Sequence, residues 1–217
     1  MTRMAGSPSV ITILDYGMGN LRSVEKAFEH VGATVRVASD PERLGDATAL
    51  VLPGVGAFPE AMRRIRERGL DSFVAERVED GAALLGICLG MHLLFESSSE
   101  HEGATGLGLL TGRVDAIRAP GLKLPNIGWS PLRLENPSPI VAGIAEGEPM
   151  YFVHSLAARP RSEDLVATAE HGERFAAVVG SGRVFGTQFH PEKSSGAGLR
   201  MLRNFADVAA PLASASR

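Results

Sequence analysis

The sequence predicts an α/β protein with a mostly parallel central sheet, helices on both faces, and an antiparallel extension in the C-terminal half. Two observations predict it. Between residues 10 and 96 short apolar runs alternate with helical windows, a βαβ rhythm that calls for crossover helices. After about residue 106, short strands separated by turn residues follow one another with few helical windows, as antiparallel pairing allows. No linker-like stretch divides the halves. Residues 10–211 are therefore expected to form one domain, with 1–9 and 212–217 as flexible tails.

The elements follow in order. VITIL (10–14) reads as a buried strand bounded by the turn DYGMGN. Leu21, Val24, Phe28 and Val31 recur on one face of an amphipathic helix, with Asn20 as N-cap and Gly32 as terminator. TVRVA (34–38) and ALVLP (49–53) are the next strands, and two charged amphipathic helices are expected over 59–68 and 70–80. ALLGI (83–87) is a fourth strand, running into Cys88 and a short helix LGMHLLF. GRVDAI, WSPLRL, MYFVH, LVATAE, FAAVVG and RVFGTQF supply the later strands. Leu199, Leu202, Phe205, Ala206 and Ala209 share one face of a closing helix.

Composition excludes several classes of function. The 217 residues carry 22 basic and 25 acidic side chains, a formal net charge of −3, so no nucleic-acid footprint is expected. The longest apolar runs, 82–87 and 47–52, are far short of the roughly 20 residues of a membrane span. The first residues contain no apolar signal core, and the expected compartment is the cytoplasm. Nothing calls for a cofactor or a metal. The single cysteine, Cys88, can form no intrachain disulfide and no cysteine cluster for zinc. It can still be a nucleophile.

Gly86-Ile87-Cys88-Leu89-Gly90 follows a strand and opens a helix, the cysteine form of a nucleophile elbow. Flanking glycines permit the close backbone approach of such a turn. The helix N-terminus should favour the thiolate and offer N–H groups, that of Leu89 among them, to a developing oxyanion. The plainer reading is a lone cysteine packed as a small hydrophobe. Far downstream, His190 and Glu192 stand two apart at a strand end, where an extended backbone would turn both the same way. Pro191 between them ends the ladder. Alone, this pair reads more readily as two solvated side chains; with the elbow it completes the logic of a nucleophile, a base and a base-orienting carboxylate.

GxCxG followed by HPE resembles the class I glutamine amidotransferases. DYGMGNLRSV (15–24), PGVGAF (53–58), LGICLGMHLLFE (85–96), PNIGWS (125–130), YFVHS (151–155) and FGTQFHPEKSS (185–195) resemble, within them, the glutaminase subunits of imidazole glycerol phosphate synthase. The resemblance spans nearly the whole chain and implies a flavodoxin-like fold. It implies that Cys88 attacks the carboxamide of L-glutamine to form a γ-glutamyl thioester, that His190 transfers the protons, and that Glu192 orients His190. Gly54, Val55 and Gly56 match the oxyanion strand, although PGVG is also an ordinary βα turn. Gly56, His92, Glu100, Ser155 and Leu156 match substrate contacts, with Glu100 alternatively a solvated loop carboxylate.

The same resemblance implies a partner: a (βα)8-barrel cyclase subunit in a heterodimer, receiving ammonia and producing imidazole glycerol phosphate and an aminoimidazole carboxamide ribonucleotide. Asn20, Trp129, Tyr151 and Lys193 match the interface with it. Three positions depart from the pattern. His92 stands where glutamine is common, implying altered glutamine affinity or a second base contending with His190. Asn126 replaces a frequent histidine near the expected interface, and Leu156 a frequent aromatic. The competing readings are another class I amidotransferase, a γ-glutamyl hydrolase, or a non-catalytic binding subunit of the same fold. The complete Cys88–His190–Glu192 set argues against the last.

Overall fold

The computed structural model describes residues 10–210, so both expected tails lie outside the described residues. The first half runs β1 (Val10–Leu14), α1 (Leu21–His30), β2 (Thr34–Ala38), α2 (Pro41–Leu44), β3 (Ala49–Gly54), α3 (Phe58–Glu67), α4 (Leu70–Glu79), β4 (Ala83–Cys88) and α5 (Leu89–Leu93). The second half contains β5 (Phe95–Ser98), β6 (Ala104–Thr105), β7 (Leu110–Ala116), β8 (Asn126–Pro131), β9 (Arg133–Leu134), β10 (Pro149–His154) and β11 (Leu156–Pro160). β12 (Leu165–His171), β13 (Glu173–Ser181), β14 (Val184–Thr187) and α6 (Ser195–Ala209) complete it.

The main sheet has the order β2-β1-β3-β4-β14-β13-β12-β9. Its first five strands are parallel, and β13, β12 and β9 continue it antiparallel. Strand alternation divides the apolar side chains between two cores. Ile11, Ile13, Val51, Leu85 and Ile87 face one side, under Phe28 of α1 and Met201, Leu202 and Phe205 of α6. Leu50, Leu52 and Leu84 face the other, under Met62 and Ile65 of α3 and Val74 of α4. Burial on both faces explains why these strands read as unbroken apolar runs. Each such side chain contributes roughly 1.5–3 kcal/mol by leaving water.

Several expectations need correction. The later strands do not form one extension: β8 and β10 make a separate ribbon, and β11-β7-β5-β6 a four-stranded sheet. WSPLRL is split between β8 and β9 at Leu132, which is buried. The helix after Cys88 stops at Leu93, and Phe95 begins β5 because Gly108 and Leu110 draw its edge into hydrogen bonds. Asn20 precedes α1 without a side-chain cap, its backbone (φ −88°, ψ 66°) lying outside the extended geometry of an N-cap. The buried stripe of α6 includes Gly198 and Met201, with Leu199 and Ala206 at its flank. The helix is turned this way because a Cβ at Gly198 would lie 2.0 Å from the Pro191 carbonyl oxygen.

These strands end at one edge. β3, β4 and β14 deliver their C-terminal ends side by side, the crevice where open α/β sheets take ligands.

Candidate active site

Cys88 closes β4 with φ +54° and ψ −111°, a left-handed backbone that a non-glycine residue adopts only under constraint. The constraint is close packing of the turn. A Cβ on Gly86 would stand 2.6 Å from the Gly90 carbonyl oxygen, and one on Gly90 only 1.7 Å from that of Leu52. Both glycines are therefore required by space. The thiol is 8% exposed and opens into a cavity of about 350 Å³, with Sγ 3.8 Å from the Val153 carbonyl oxygen.

His190 reaches the same cavity from beyond β14. Its Nδ1 lies 2.8 Å from Glu192 Oε1, both side chains being almost fully buried. Strand alternation does not bring the two side chains together: Pro191–Lys193 form a single 3-10 turn, and the turn folds the carboxylate back onto the ring. Ser194 holds this turn, donating from Oγ to the His190 carbonyl at 2.7 Å and accepting from the Tyr151 N–H at 3.0 Å. The His190 N–H donates to the Tyr151 carbonyl at 3.0 Å. Burial alone would push the imidazole down, but Cys88 and Glu192 outweigh it and hold the ring at about 9.

His92 has the opposite character. Its Nε2 lies 2.6 Å from Gln188 Oε1, and burial pushes it down to about 4 against the smaller opposing effect of that bond. The ring is neutral and donates Nε2–H to the amide oxygen. It forms no hydrogen bond with Cys88, so the geometry runs against a second base contending with His190.

The loop after β3 is braced by Tyr16, whose buried hydroxyl donates to the Pro53 carbonyl at 2.8 Å. Burial first, and then Cys88, push this phenol up. A Cβ on Gly54 would meet the Tyr16 hydroxyl at 2.3 Å. Beyond it Val55 is 46% exposed, and Gly56 has φ +101°. Glu100 is not a solvated loop carboxylate: its Oε2 accepts from the Phe58 N–H at 2.6 Å, tying it to the first turn of α3.

One residue unforeseen from sequence is His154. Nδ1 donates to the Leu156 carbonyl at 2.8 Å, while Nε2 accepts from Asn126 Nδ2 at 3.1 Å. Burial pushes this ring, too, down to about 4. It pins the Ser155–Leu156 corner of the cavity wall. Asn126 is thus a buried partner of His154, directly opposite it in the β8–β10 register, and not a surface contact. The alternation of YFVHS contained the signal, since Phe152 and His154 share the buried face of β10.

The cavity therefore gathers Val55, Gly56, Cys88, Leu89, His92, Glu100, Ser155, Leu156, His190 and Lys193. Gly54 lies beside Cys88 at the end of β3, and Glu192 behind His190. Pro125, Val153 and His154 join the lining without having been expected. Asn20, Trp129 and Tyr151 lie outside it. The outward face of the β8–β10 ribbon carries Ile127, 60% exposed, and Trp129, 52% exposed, the latter edge-on to Tyr151 at 5.8 Å between ring centroids. A larger groove of about 850 Å³ lies along β5, β7, β11 and β13, where Arg113–Asp115 and Arg159–Glu173 are mutually paired and neither cysteine nor histidine lines the wall. Among the described residues no His, Cys, Asp and Glu cluster could hold a metal, and no helix is long and apolar enough to cross a membrane.

Comparison with known proteins agrees with this geometry. The family described as "Glutamine amidotransferase class-I" matches residues 12–209. An "Imidazole glycerol phosphate synthase subunit HisH" from Geobacillus kaustophilus is 49% identical over 208 residues, covering 92% of this chain and 97% of its own. One of the same description from Moorella thermoacetica is 46% identical over 199 residues, covering 91% and 94%. Among solved structures, PurLQS from Thermotoga maritima superposes with a TM-score of 0.73 at 22% identity, covering 93% of this chain and 99% of that one. At that identity the likeness is one of fold.

Proposed function

The chain belongs to the class I glutamine amidotransferases, among the glutaminase subunits of imidazole glycerol phosphate synthase, and from that premise we propose how its residues act. It hydrolyses L-glutamine to glutamate and ammonia as one subunit of that synthase, in histidine biosynthesis. Cys88 is the nucleophile. Its sulfur attacks the side-chain carboxamide carbon, the thiol proton having passed to His190, and the carbonyl oxygen takes up the negative charge. The N–H of Leu89 and the Gly54-Val55-Gly56 loop stabilise that charge, each well-placed donor contributing a factor of roughly 10²–10³. His190, held protonated by its neighbours, gives its proton to the nitrogen as the C–N bond breaks, releasing ammonia and leaving the γ-glutamyl thioester. Water then attacks the thioester with His190 as base, and glutamate departs. Glu192 keeps Nδ1 engaged so that Nε2 serves the reaction.

Glu100, Ser155 and Leu156 would hold the amino-acid end of glutamine, and His92 stands at the cavity wall near the amide. The partner is a (βα)8-barrel cyclase subunit that docks on the face of Ile127, Trp129 and Tyr151, with Asn20 and Lys193 contributing. Exposed large apolar side chains clustered beside the cavity support this reading. Docking there would route ammonia into the partner, where it serves formation of imidazole glycerol phosphate and the aminoimidazole carboxamide ribonucleotide. The cytoplasm is the compartment that suits it.

The observation that carries the reading is the strained Cys88 elbow sharing one cavity with the His190–Glu192 pair. The test is glutamine hydrolysis by the chain alone and with the cyclase subunit plus its nucleotide ligand. Ammonia release should rise steeply in the complex and vanish in Cys88→Ala. Trp129→Ala should weaken complex formation by roughly tenfold or more in Kd while leaving the melting temperature of the isolated chain unchanged. Turnover surviving in Cys88→Ala would sink the assignment.

A further inference from the structure

His92 and Gln188 are far apart in sequence and meet in the wall of the site, His92 lining the cavity and Gln188 buried outside its lining. His92 lies one helical turn after Cys88, on α5, and Gln188 two residues before His190. Gln188 is fully buried, and its backbone N–H donates to the Ala177 carbonyl at 2.9 Å, which anchors it to β13. Their bond of 2.6 Å is therefore a direct side-chain link between the helix that follows the nucleophile and the segment that leads to the base. The link has a cost. Gln188 Nε2 is buried with no hydrogen-bond partner among the described residues, a penalty that an apolar side chain of the same size would avoid. A glutamine buried this deeply and engaged through its amide oxygen holds that oxygen in one place.

We propose that His92 and Gln188 are a pair of positioning residues, a buried clamp that sets the approach of Cys88 to His190. The proposal rests on the assignment of Cys88 and His190 as the reacting pair. Because the ring is buried and neutral, it is a fixed Nε2–H donor at working pH, so the clamp stays closed. Close packing seats α5 on the sheet, where a Cβ on Gly186 would fall 2.6 Å from Met91 Cγ and one on Gly90 1.7 Å from the Leu52 carbonyl oxygen. Within that seat the His92–Gln188 bond ties α5 to the segment that leads to His190. The role expected from sequence, a direct contact with the glutamine amide, differs in its signature: a substrate contact governs KM, whereas a clamp governs kcat and the reactivity of the thiol.

The experiment measures kcat and KM for glutamine in the complex, and the rate of Cys88 alkylation by iodoacetamide, for four variants. His92→Phe keeps the ring and removes the donor; Gln188→Met keeps the volume and removes the acceptor. Each should lower kcat and the alkylation rate by roughly tenfold with KM changed less than about twofold, and the double variant should lose no more than either single one. His92→Gln, which restores an N–H donor, should recover kcat to within about threefold. A rise in KM with kcat intact, or losses that add in the double variant, would overturn the clamp. If His92→Phe fails to fold, Gln188→Met carries the same test with the ring in place. Cys88→Ala, assayed alongside, separates the two claims: turnover surviving there defeats the nucleophile assignment, whereas its loss with unchanged kcat in the clamp variants defeats the clamp alone.

Discussion

His190 and His92 line the same cavity and are equally buried, at 5% and 4% exposure, yet one is held at about 9 and the other pushed to about 4. Each meets a side chain of almost the same shape, Glu192 for His190 and Gln188 for His92, and His190 has Cys88 as a second partner. Burial disfavours the charge on both rings. What separates them is that a carboxylate and a sulfur face His190, whereas only a neutral amide faces His92. A site with one imidazole that carries a proton and one that cannot has its acid and base chemistry assigned by partner charge acting against burial.

Exchanging the partners tests that explanation. Glu192→Gln gives His190 the kind of partner that His92 has, and removing the orienting carboxylate should lower kcat by on the order of 10⁴ with KM little changed. Steady-state kinetics in the complex would check it, and a kcat within about threefold of wild type would break the comparison. Gln188→Glu does the reverse and should bring the His92 titration up to roughly pH 6 or above, followed by NMR of the ring protons. A ring still titrating near 4 would mean that burial alone sets its state.

A smaller effect lies in the pH dependence of stability. His190 is raised from 6.5, so its contribution is complete below pH 6.5 and lost as pH climbs towards about 9. His92 and His154 are lowered from 6.5, so theirs is complete above pH 6.5 and lost as pH falls towards about 4. Urea midpoints should peak near neutrality and decline on both sides, each limb amounting to a few kcal/mol in order of magnitude. Cys88→Ala should flatten the alkaline limb, because the sulfur is the largest influence raising His190. A stability profile unchanged from pH 4 to 9 would contradict both halves of the comparison.

Much of this was legible in the chain. The buried parallel strands announce themselves as apolar runs because both faces are covered, and Gly86-Ile87-Cys88-Leu89-Gly90 and His190-Pro191-Glu192 are local patterns whose chemistry follows from spacing. The division of the later strands into two extra sheets was not legible, since short alternating strands carry no information about which neighbour they pair with. Glu100 as the tie to α3, Asn126 as the partner of His154, and Gln188 as the partner of His92 were hidden for a related reason. Each is a hydrogen bond across dozens of residues, and a polar side chain in a sequence does not declare whether it meets water or another buried group.

The sequence by itself determined the parallel core, the elbow and the candidate triad, because those depend on the periodicity of burial and on backbone geometry within a few residues. Only the tertiary structure decided which histidine could hold a proton. That outcome depends on what lies across the cavity from each ring, and the groups there come from β4, α5 and the segment after β14, brought together by the sheet.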